Sequence, residues 1–179
     1  MFKRQPTLHT IRKLRFQVGR LRVASQNLTV RLRKRKAEAI SERIDGIRVL
    51  ILNSPLNPTG TCFNSDELGA ICDVILAENK KRKNVGEKPV MLVYDQVYST
   101  MTAPGIEHIH PVQVRPEIFD YTITLDAISK SLTGTGLRLG WMALPPALAP
   151  PVIALIGHMG AWPARPIQKA AAQLYSKPE

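Results

Sequence analysis

The sequence predicts an α/β fold in three layers (α/β/α), with helices on both faces of a mainly parallel sheet that also holds one antiparallel strand. Short apolar runs of strand length alternate with helical segments, which is the order typical of such sheets. The first run, residues 47–53, is apolar almost throughout, as expected when both faces of a strand are covered. Leu137 follows Lys130 by only seven residues, too few for a helical crossover, so the last strand should run antiparallel to its predecessor.

The first half of the chain contains a rigid turn and a capped helix. Residues 36–45 include good helix formers and predict a short helix before strand 47–53. After that strand, three residues forbid regular structure and define the turn: Pro55, Pro58 and Gly60. Asn64 and Glu67 have the spacing of a helix N-cap and its capping-box partner, and apolar residues at helical spacing predict a helix over 65–81.

The second half alternates strands with irregular and helical segments. Buried strands are predicted over 89–95 and 121–127, and the antiparallel strand over 137–143. The prediction is completed by a short helix within 114–119, a proline-interrupted helical segment over 148–160 and a last helix over 165–175. In a parallel sheet of this kind, ligands bind beyond the carboxyl ends of the strands.

The charge of the chain divides it into two parts. Of the 179 residues, 44% are hydrophobic and 22% are charged, which is the usual mix of one globular domain. Residues 1–48 carry 14 Lys/Arg against 3 Asp/Glu, while 49–179 carry 11 of each, so the net charge of +11 belongs to the amino-terminal end. We therefore predict a basic arm over 1–36, disordered or non-native, and a folded domain over 37–179.

Composition also bears on location and partners. No apolar run reaches the roughly 18 residues of a membrane span. Cys62 and Cys72 lack the spacing of metal ligands and form no evident disulfide framework, which favours a reducing compartment. His108 and His110 lack a third ligand nearby, so no metal is expected. We expect a cytoplasmic protein without a membrane or nucleic-acid partner, although the Arg-rich start weakly resembles a mitochondrial presequence.

Residues 121–145 form the stretch around which the predicted site is organised. A strand delivers Lys130 into a turn rich in Gly, Ser and Thr, and the following strand carries Arg138 back through the core. Lysine is rarely buried unless it is paired or does chemistry. Asn57 and Asp95 follow the carboxyl ends of two earlier strands, so the topology predicts that their side chains converge with Lys130.

This set of side chains suits an aromatic aldehyde cofactor that bears a phosphate. Lys130 supplies an amine, and a lysine attacks an aldehyde in its neutral form, which desolvation and a cationic neighbour favour. Arg138 matches a phosphate with its planar fork, and Ser129 adds a hydroxyl donor. Asp95 can hold a proton on a pyridine nitrogen, so that the ring withdraws electrons. The remaining two members are donors for a phenolate oxygen on the ring: Tyr98 and Asn57.

Three sequence blocks resemble the signature of the class I and II aminotransferases, which are pyridoxal-phosphate enzymes of fold type I. The blocks are Asn57-Pro58-Thr59-Gly60, Tyr94-Asp95-Gln96-Val97-Tyr98, and Ser129-Lys130 with Arg138 eight residues on. The resemblance covers residues 47–179 and implies part of the large, cofactor-binding domain, with pyridoxal 5'-phosphate bound to Lys130 as a Schiff base. It further implies that Asp95 contacts the pyridine nitrogen and that Asn57 and Tyr98 contact the ring hydroxyl. Arg138 and Ser129 are implied to contact the phosphate.

The chain also departs from the family pattern. Ala127 stands where a hydroxyl residue often precedes the lysine by three positions, and Gln96 stands where a small or acidic residue is frequent. The family's phosphate loop and ring-stacking aromatic are not recognisable in residues 1–46, and we expect the small carboxyl-terminal domain, with its arginine for the substrate carboxylate, to be absent. The resemblance thus implies a truncated enzyme, and we expect weak or absent transamination from this chain alone.

Two functions remain open from the sequence. The first is a transaminase that moves an amino group between an amino acid and a 2-oxo acid and works as a homodimer when complete, with β-elimination and related reactions using the same pocket. The alternative is a non-catalytic, aminotransferase-like protein whose basic arm binds nucleic acid. A truncated or frame-shifted product, with a non-native start, is a third interpretation.

Overall fold

The computed structural model of this chain describes residues 35–176, which contain a four-stranded sheet. Its strands lie side by side in chain order: β1 (Val49–Asn53), β2 (Met91–Asp95), β3 (Thr122–Ala127) and β4 (Gly140–Ala143). β1 pairs with β2, and β2 with β3, in parallel, whereas β4 runs antiparallel to β3. The predicted parallel sheet with one antiparallel strand is therefore confirmed. Most of the predicted arm, residues 1–34, lies outside the described residues.

The described part of the chain also holds six helices. They are α1 (35–41), α2 (Ser65–Asn84), α3 (Pro111–Val114), α4 (Ile128–Ser131), α5 (Ala149–His158) and α6 (Arg165–Tyr175). Short 3-10 turns span Ile44–Gly46, Pro116–Tyr121, Thr135–Leu137 and Pro146–Leu148. The predicted interruption of segment 148–160 is wrong, because Pro150 and Pro151 fall in the first turn of α5, where a residue needs no hydrogen-bonded N–H.

The amino-terminal end of α2 is fixed by the predicted capping box. The Asn64 side chain accepts a hydrogen bond from the Glu67 N–H at 3.0 Å, and the Glu67 carboxylate accepts one from the Asn64 N–H at 3.2 Å. The first of these bonds satisfies an N–H group that has no partner inside the helix. The helix then continues to Asn84, beyond the predicted end at residue 81.

Removal of this cap should destabilise the protein. We expect Asn64→Ala to lower the free energy of unfolding by about 1 kcal/mol, because the substitution deletes the acceptor for the first turn of α2. Urea unfolding followed by circular dichroism measures the change. Asn84→Ala, at the exposed opposite end of the same helix, is the matched control and should change the free energy by less than about 0.5 kcal/mol. Equal losses from the two variants would contradict a stabilising capping box.

The hydrophobic core lies between α2 and one face of the sheet. Its buried members are Ile44, Leu68, Ile71, Cys72, Ile75, Val90, Leu92, Tyr94 and Ile118. Successive side chains of a strand point to opposite faces, so Leu92 and Tyr94 share the face that packs on the helix. This packing holds the sheet and α2 together and leaves the carboxyl ends of the strands at the surface.

The outer strands are more exposed than the sequence predicts. Val49 and Ile51 are 49% and 69% exposed, and all residues of β4 are exposed. Leu50 and Leu52 pack against the core, so the side chains that alternate with them point to the other face of β1. The expectation that both faces of β1 are covered is therefore wrong for Val49 and Ile51. Within residues 35–176, the hydrophobic core packs against the opposite face of this strand, which carries Leu50 and Leu52.

A buried ion pair connects α2 to the segment that enters β1. Arg82 Nε donates to Glu78 Oε1 at 2.9 Å, and Arg82 Nη2 donates to the carbonyl oxygens of Ile44 and Asp45, both at 2.8 Å. The Arg82 side chain is only 3% exposed. The hydrogen bond from Arg82 holds the pKa of Glu78 below its usual value, so this carboxylate is charged at neutral pH.

Candidate cofactor site

The carboxyl ends of three neighbouring parallel strands meet at one edge of the sheet. Asn53 of β1 pairs with Asp95 of β2, and Asp95 pairs with Leu125 of β3. The Ser54 N–H and the Asn53 side-chain amide both donate to the Asp95 carbonyl oxygen, at 3.0 and 3.1 Å, so the first two strand ends are firmly joined. The segments that follow the three strands carry the predicted site residues Asn57, Tyr98 and Lys130.

Asn57, Tyr98 and Lys130 come together at this edge. The Asn57 amide donates to the Tyr98 hydroxyl at 3.2 Å, and the Lys130 Nζ lies 5.4 Å from the centroid of the Tyr98 ring. The Asn57 N–H also donates to Asn53 Oδ1 at 3.0 Å, which holds the loop against the end of β1. Tyr98 thus contacts an amide from the loop after the first strand and an amine from the turn after the third.

Lys130 lies on α4, a single helical turn that begins directly after β3. Hydrogen bonds to neighbouring backbone stabilise this turn: among them, the Gly134 N–H donates to the Ile128 carbonyl oxygen at 3.0 Å, and the Ile128 N–H donates to the Leu139 carbonyl oxygen at 3.3 Å. A Cβ at Gly134 would lie 3.1 Å from Ile128, so glycine suits this close approach. Lys130 is half-buried as a residue; among residues 35–176 its amine makes no ion pair or hydrogen bond, and its aromatic contact is Tyr98.

Asp95 ends β2 with one carboxylate oxygen bound to the backbone. Its Oδ1 accepts the Val97 N–H at 3.1 Å, which fixes the side chain at the start of the turn that leads to Tyr98. The other oxygen, Oδ2, accepts no hydrogen bond within the described part of the chain. A carboxylate with one oxygen available can accept a hydrogen bond from a protonated ring nitrogen.

Ser129 and Arg138 contact the same residue, Thr135. The Thr135 hydroxyl donates to the Ser129 carbonyl oxygen at 2.9 Å, and Arg138 Nη1 donates to the Thr135 carbonyl oxygen at 3.0 Å. The prediction that Arg138 lies on a strand in the core is wrong: it is exposed, precedes β4 and has a left-handed backbone with φ of 53°. The 3-10 turn Thr135–Leu137 takes up Leu137, which the apolar pattern assigned to the strand. Ser129, through its backbone carbonyl oxygen, and Arg138, through its guanidinium, nevertheless both contact the first residue of this turn.

The sequence reading missed a chain of polar side chains that joins β2 to β3. Gln96 Nε2 donates to Asp126 Oδ2 at 3.1 Å, and Gln96 Oε1 lies 3.3 Å from His108 Nε2. Burial lowers the pKa of His108, against a smaller opposing effect of Asp126, so the imidazole is neutral at pH 7. The only sequence signal for this chain was the departure of Gln96 from the family pattern.

The histidines have protein partners of their own. His110 Nε2 lies 2.8 Å from Thr124 Oγ1, and His110 Nδ1 accepts the Val112 N–H at 3.2 Å. Residues 35–176 contain no group of three His, Cys, Asp or Glu side chains placed to hold a metal ion. The same part of the chain contains no helix with the length and apolar character of a membrane span.

Comparison with known proteins identifies the class of protein that has this fold, with Lys130 at the edge of the sheet. The model for aminotransferases of class I and II matches residues 11–179, and the chain belongs to that family. An aspartate aminotransferase of Geobacillus stearothermophilus is 32% identical over 132 residues, which are 74% of this chain and 31% of the relative. Another, from Bacillus sp. (strain YM-2), is 30% identical over 144 residues, or 80% of this chain and 34% of the relative.

Solved structures of aminotransferases share the fold. The aromatic aminotransferase from Pyrococcus horikoshii matches with a TM-score of 0.61 and 28% identity over 70% of this chain and 31% of its own. A putative aminotransferase from Clostridium difficile 630, described as PLP-bound, matches with a TM-score of 0.53 and 28% identity over 61% of this chain and 26% of its own. The chain spans about a third of the length of these relatives, so the predicted partial α/β domain is confirmed.

Aminotransferases of this class depend on pyridoxal 5'-phosphate (PLP), and the residues at the strand edge fit this group. In the described part of the chain, the amine of Lys130 has no counter-ion and Asp95 keeps one oxygen without a hydrogen-bond donor. Ser129 and Arg138, whose side chains can donate hydrogen bonds to a phosphate, both contact Thr135. The available groups therefore match an aldehyde, a ring nitrogen and a phosphate.

Proposed function

We propose that this chain is the cofactor-binding part of a transaminase that moves an amino group between an amino acid and a 2-oxo acid. One observation carries the proposal: among residues 35–176 the Lys130 amine has no ion pair, and it lies 5.4 Å from the ring of Tyr98, which is hydrogen-bonded to Asn57. An amine without an ion pair or hydrogen bond is available to react with an aldehyde, so such a lysine at the strand edge points to chemistry.

Each residue of the site has a role that follows from its chemistry. Bound PLP supplies an aldehyde that exchanges amines and a ring that withdraws electrons. Lys130 supplies the amine that anchors the cofactor and the base that moves the α-proton of the substrate. Asp95 keeps a proton on the ring nitrogen. Asn57 and Tyr98 bind the ring hydroxyl, and Ser129 and Arg138 bind the phosphate.

Acidic amino acids are the substrate class that we propose first. Two of the relatives described above are named aspartate aminotransferases, which also favours transamination over elimination. Because this chain spans about a third of those relatives, we expect weak or absent amine transfer from aspartate to 2-oxoglutarate by the chain alone. Turnover comparable to that of a complete aminotransferase would contradict this expectation.

We further propose a homodimer and a cytoplasmic location. Apolar side chains on α5 and before α6 support the dimer, since Leu155 and Trp162 are 58% and 55% exposed and such surfaces are typically covered in an assembly. Sedimentation of the purified chain distinguishes a dimer from a monomer. Free thiols at Cys62 and Cys72 accord with a reducing compartment, and burial raises the pKa of Cys72 to about 12, which makes that thiol inert.

Cofactor titration tests the proposed function. PLP should bind saturably, with one equivalent per chain, and borohydride should convert the complex to a covalent adduct. Pyridoxamine 5'-phosphate, which has the same ring and phosphate but no aldehyde, is the matched control: it should bind and leave no adduct. Absence of saturable binding of PLP in an absorbance titration would contradict the proposed function.

The hydroxyl of Tyr98 should contribute to cofactor affinity. We expect Tyr98→Phe to weaken PLP binding by roughly fivefold, because the substitution removes one hydrogen bond to the ring oxygen and leaves the Asn57 amide without its partner. The same absorbance titration measures the change. Tyr121→Phe, at a tyrosine packed against the core, is the control and should bind PLP as the wild type does. Equal affinities for Tyr98→Phe and the wild type would exclude this role.

A further inference from the structure

We propose that Gln96 is a positioning residue for the cofactor site, which orients the end of β2 against the end of β3 through a directional chain of hydrogen bonds from His108 to Asp126. The inference rests on the proposed function, because it concerns the same site. Gln96 directly follows Asp95, and Asp126 precedes Lys130 by four residues. The chain therefore connects the strand end that carries the carboxylate to the strand end that carries the amine.

The direction of this chain is fixed by its carboxylate. The Asp126 carboxylate accepts hydrogen bonds, so it takes an N–H of the Gln96 amide at 3.1 Å. The Gln96 carbonyl oxygen then faces His108 Nε2 at 3.3 Å, which requires the proton of the neutral imidazole to lie on Nε2. The second ring nitrogen, Nδ1, is buried and has no hydrogen-bond partner among the described residues, as expected for the unprotonated position.

Asp126 connects the chain to the turn that carries Lys130. Its Oδ1 accepts the Ala127 N–H at 2.7 Å, and the Ala127 carbonyl oxygen in turn accepts a hydrogen bond from Ser131 Oγ at 3.3 Å. A Cβ added to Gly140 of β4 would lie 3.1 Å from the Asp126 carbonyl oxygen, so the neighbouring strand packs closely there. The Asp126 carboxylate thus binds the N–H of Ala127, the residue directly before α4, and the carbonyl oxygen of Ala127 binds Ser131 at the end of α4.

The side-chain bonds add orientation to a contact that the backbone already makes. The Gln96 N–H donates to the Leu125 carbonyl oxygen at 3.0 Å, so the two strand ends remain paired without the Gln96 side chain. Loss of that side chain should therefore preserve the fold and loosen the alignment of Asp95 with Lys130. This separates a positioning role from a merely structural one.

Nitrogen-15 NMR of the histidine rings tests the direction of the chain. In the wild type, His108 should be in the Nε2–H form. In the variant Asp126→Asn, the side-chain oxygen of the new asparagine should still accept the hydrogen bond from the Ala127 N–H. The side-chain NH2 of this asparagine then faces Gln96 and donates a hydrogen bond to it. The Gln96 amide then turns round, and His108 changes to the Nδ1–H form. His110, whose Nδ1 accepts a backbone N–H at 3.2 Å, is the internal control and keeps its Nε2–H form. An unchanged His108 in this variant overturns the proposal.

PLP affinity tests the positioning role itself. We expect Gln96→Leu to weaken binding about tenfold, the effect of losing hydrogen bonds that fix the site. Gln173→Leu, at an exposed glutamine on α6, is the control and should bind as the wild type does. Circular dichroism should show the same helix content in both. Wild-type affinity in Gln96→Leu overturns the proposal.

Exchange of the amide and the carboxylate between positions 96 and 126 tests whether PLP affinity can be restored. Gln96→Glu brings two carboxylates into contact and should weaken PLP binding at least about tenfold. The double variant Gln96→Glu with Asp126→Asn restores a donor between positions 96 and 126 and an acceptor for His108 Nε2, so its affinity should return to within about threefold of wild type. Failure of this rescue overturns the proposal.

The outcomes separate the two proposals. If the Gln96 variants bind PLP as tightly as the wild type does, the positioning role is wrong and the proposed function stands. If the wild type itself captures no PLP, the proposed function and the positioning role are both wrong.

Discussion

Replacement of Lys130 with alanine is expected to abolish covalent capture of PLP. The substitution removes the amine that lies beside Tyr98, while the groups for the ring and the phosphate remain. Weak, non-covalent binding should therefore persist, with an affinity reduced by more than about tenfold. Absorbance titration followed by borohydride reduction and mass determination of the intact protein measures both effects.

Two matched variants control this experiment. Lys130→Arg keeps a positive charge but offers no amine that attacks an aldehyde, so it should lose the adduct as the alanine variant does. Lys169→Ala removes an exposed lysine on α6 and should retain one adduct per chain. An adduct on Lys130→Ala in the same yield as on the wild type would contradict the assignment of the anchoring amine.

The largest loss of stability is expected from Arg82→Ala. The guanidinium is 3% exposed, it is paired with Glu78, and it also supplies donors to the carbonyl oxygens of Ile44 and Asp45. Its removal leaves a buried carboxylate without its main partner, which should lower the free energy of unfolding by about 3–5 kcal/mol. Urea unfolding measures the loss, and a change below about 1 kcal/mol would contradict the importance of this pair.

The neighbouring lysine provides the control for Arg82. Lys81 lies 3.5 Å from the same Glu78 carboxylate, but its side chain is 77% exposed. Water screens such a contact, so Lys81→Ala should cost less than about 1 kcal/mol. The two variants remove cations from adjacent positions and differ chiefly in the burial of the side chain that is lost. A larger loss of stability in Arg82→Ala is therefore attributable to burial of the ion pair.

The Arg82–Glu78 pair should also make stability depend on pH in a defined direction. Because the folded-state pKa of Glu78 lies below the ordinary 4.5, the stabilisation is present above 4.5 and is lost as the pH falls through the lowered value. The stability advantage of the wild type over Glu78→Gln should therefore shrink on acidification below pH 4.5. An advantage that grows with acidification would contradict the lowered pKa.

Local signals in the sequence were sufficient for the central part of the fold. Asn64 and Glu67 stand three residues apart before an amphipathic run, and both capping bonds of α2 are present. The apolar run ending at Asp95 forms β2, because it is flanked by residues that stop a strand. In each case, residues close in the sequence determine the element, so no knowledge of distant contacts was needed.

The sequence was less informative where tertiary contacts decide the structure. The sequence predicts a strand that begins at Leu137, but Leu137 ends a 3-10 turn and Arg138 adopts a left-handed backbone before β4. Similarly, the uniform apolar run of β1 could not reveal that Ile51 would be 69% exposed. Periodicity describes which side chains can be buried, and packing decides which of them are.

The convergence of the strand ends could be predicted, but the hydrogen bonds around them could not. Topology alone placed Asn57, Asp95 and Lys130 after neighbouring strands, and the structure shows these strands ending at one edge. The contacts of Thr135 and the chain through Gln96 could not be predicted, because they join groups between 3 and 30 residues apart across turns and strands. Such pairings depend on how the turns fold, which composition does not specify.

Peptide mass spectrometry of the borohydride-reduced protein tests the central claim most directly. After incubation with one equivalent of PLP, reduction and proteolysis, a single pyridoxyl group is expected on the peptide that contains Lys130, with none on the exposed Lys36 or Lys169. A label spread evenly over exposed lysines, or a single label on another lysine, would contradict the proposal that Lys130 is the cofactor anchor of this aminotransferase-family chain.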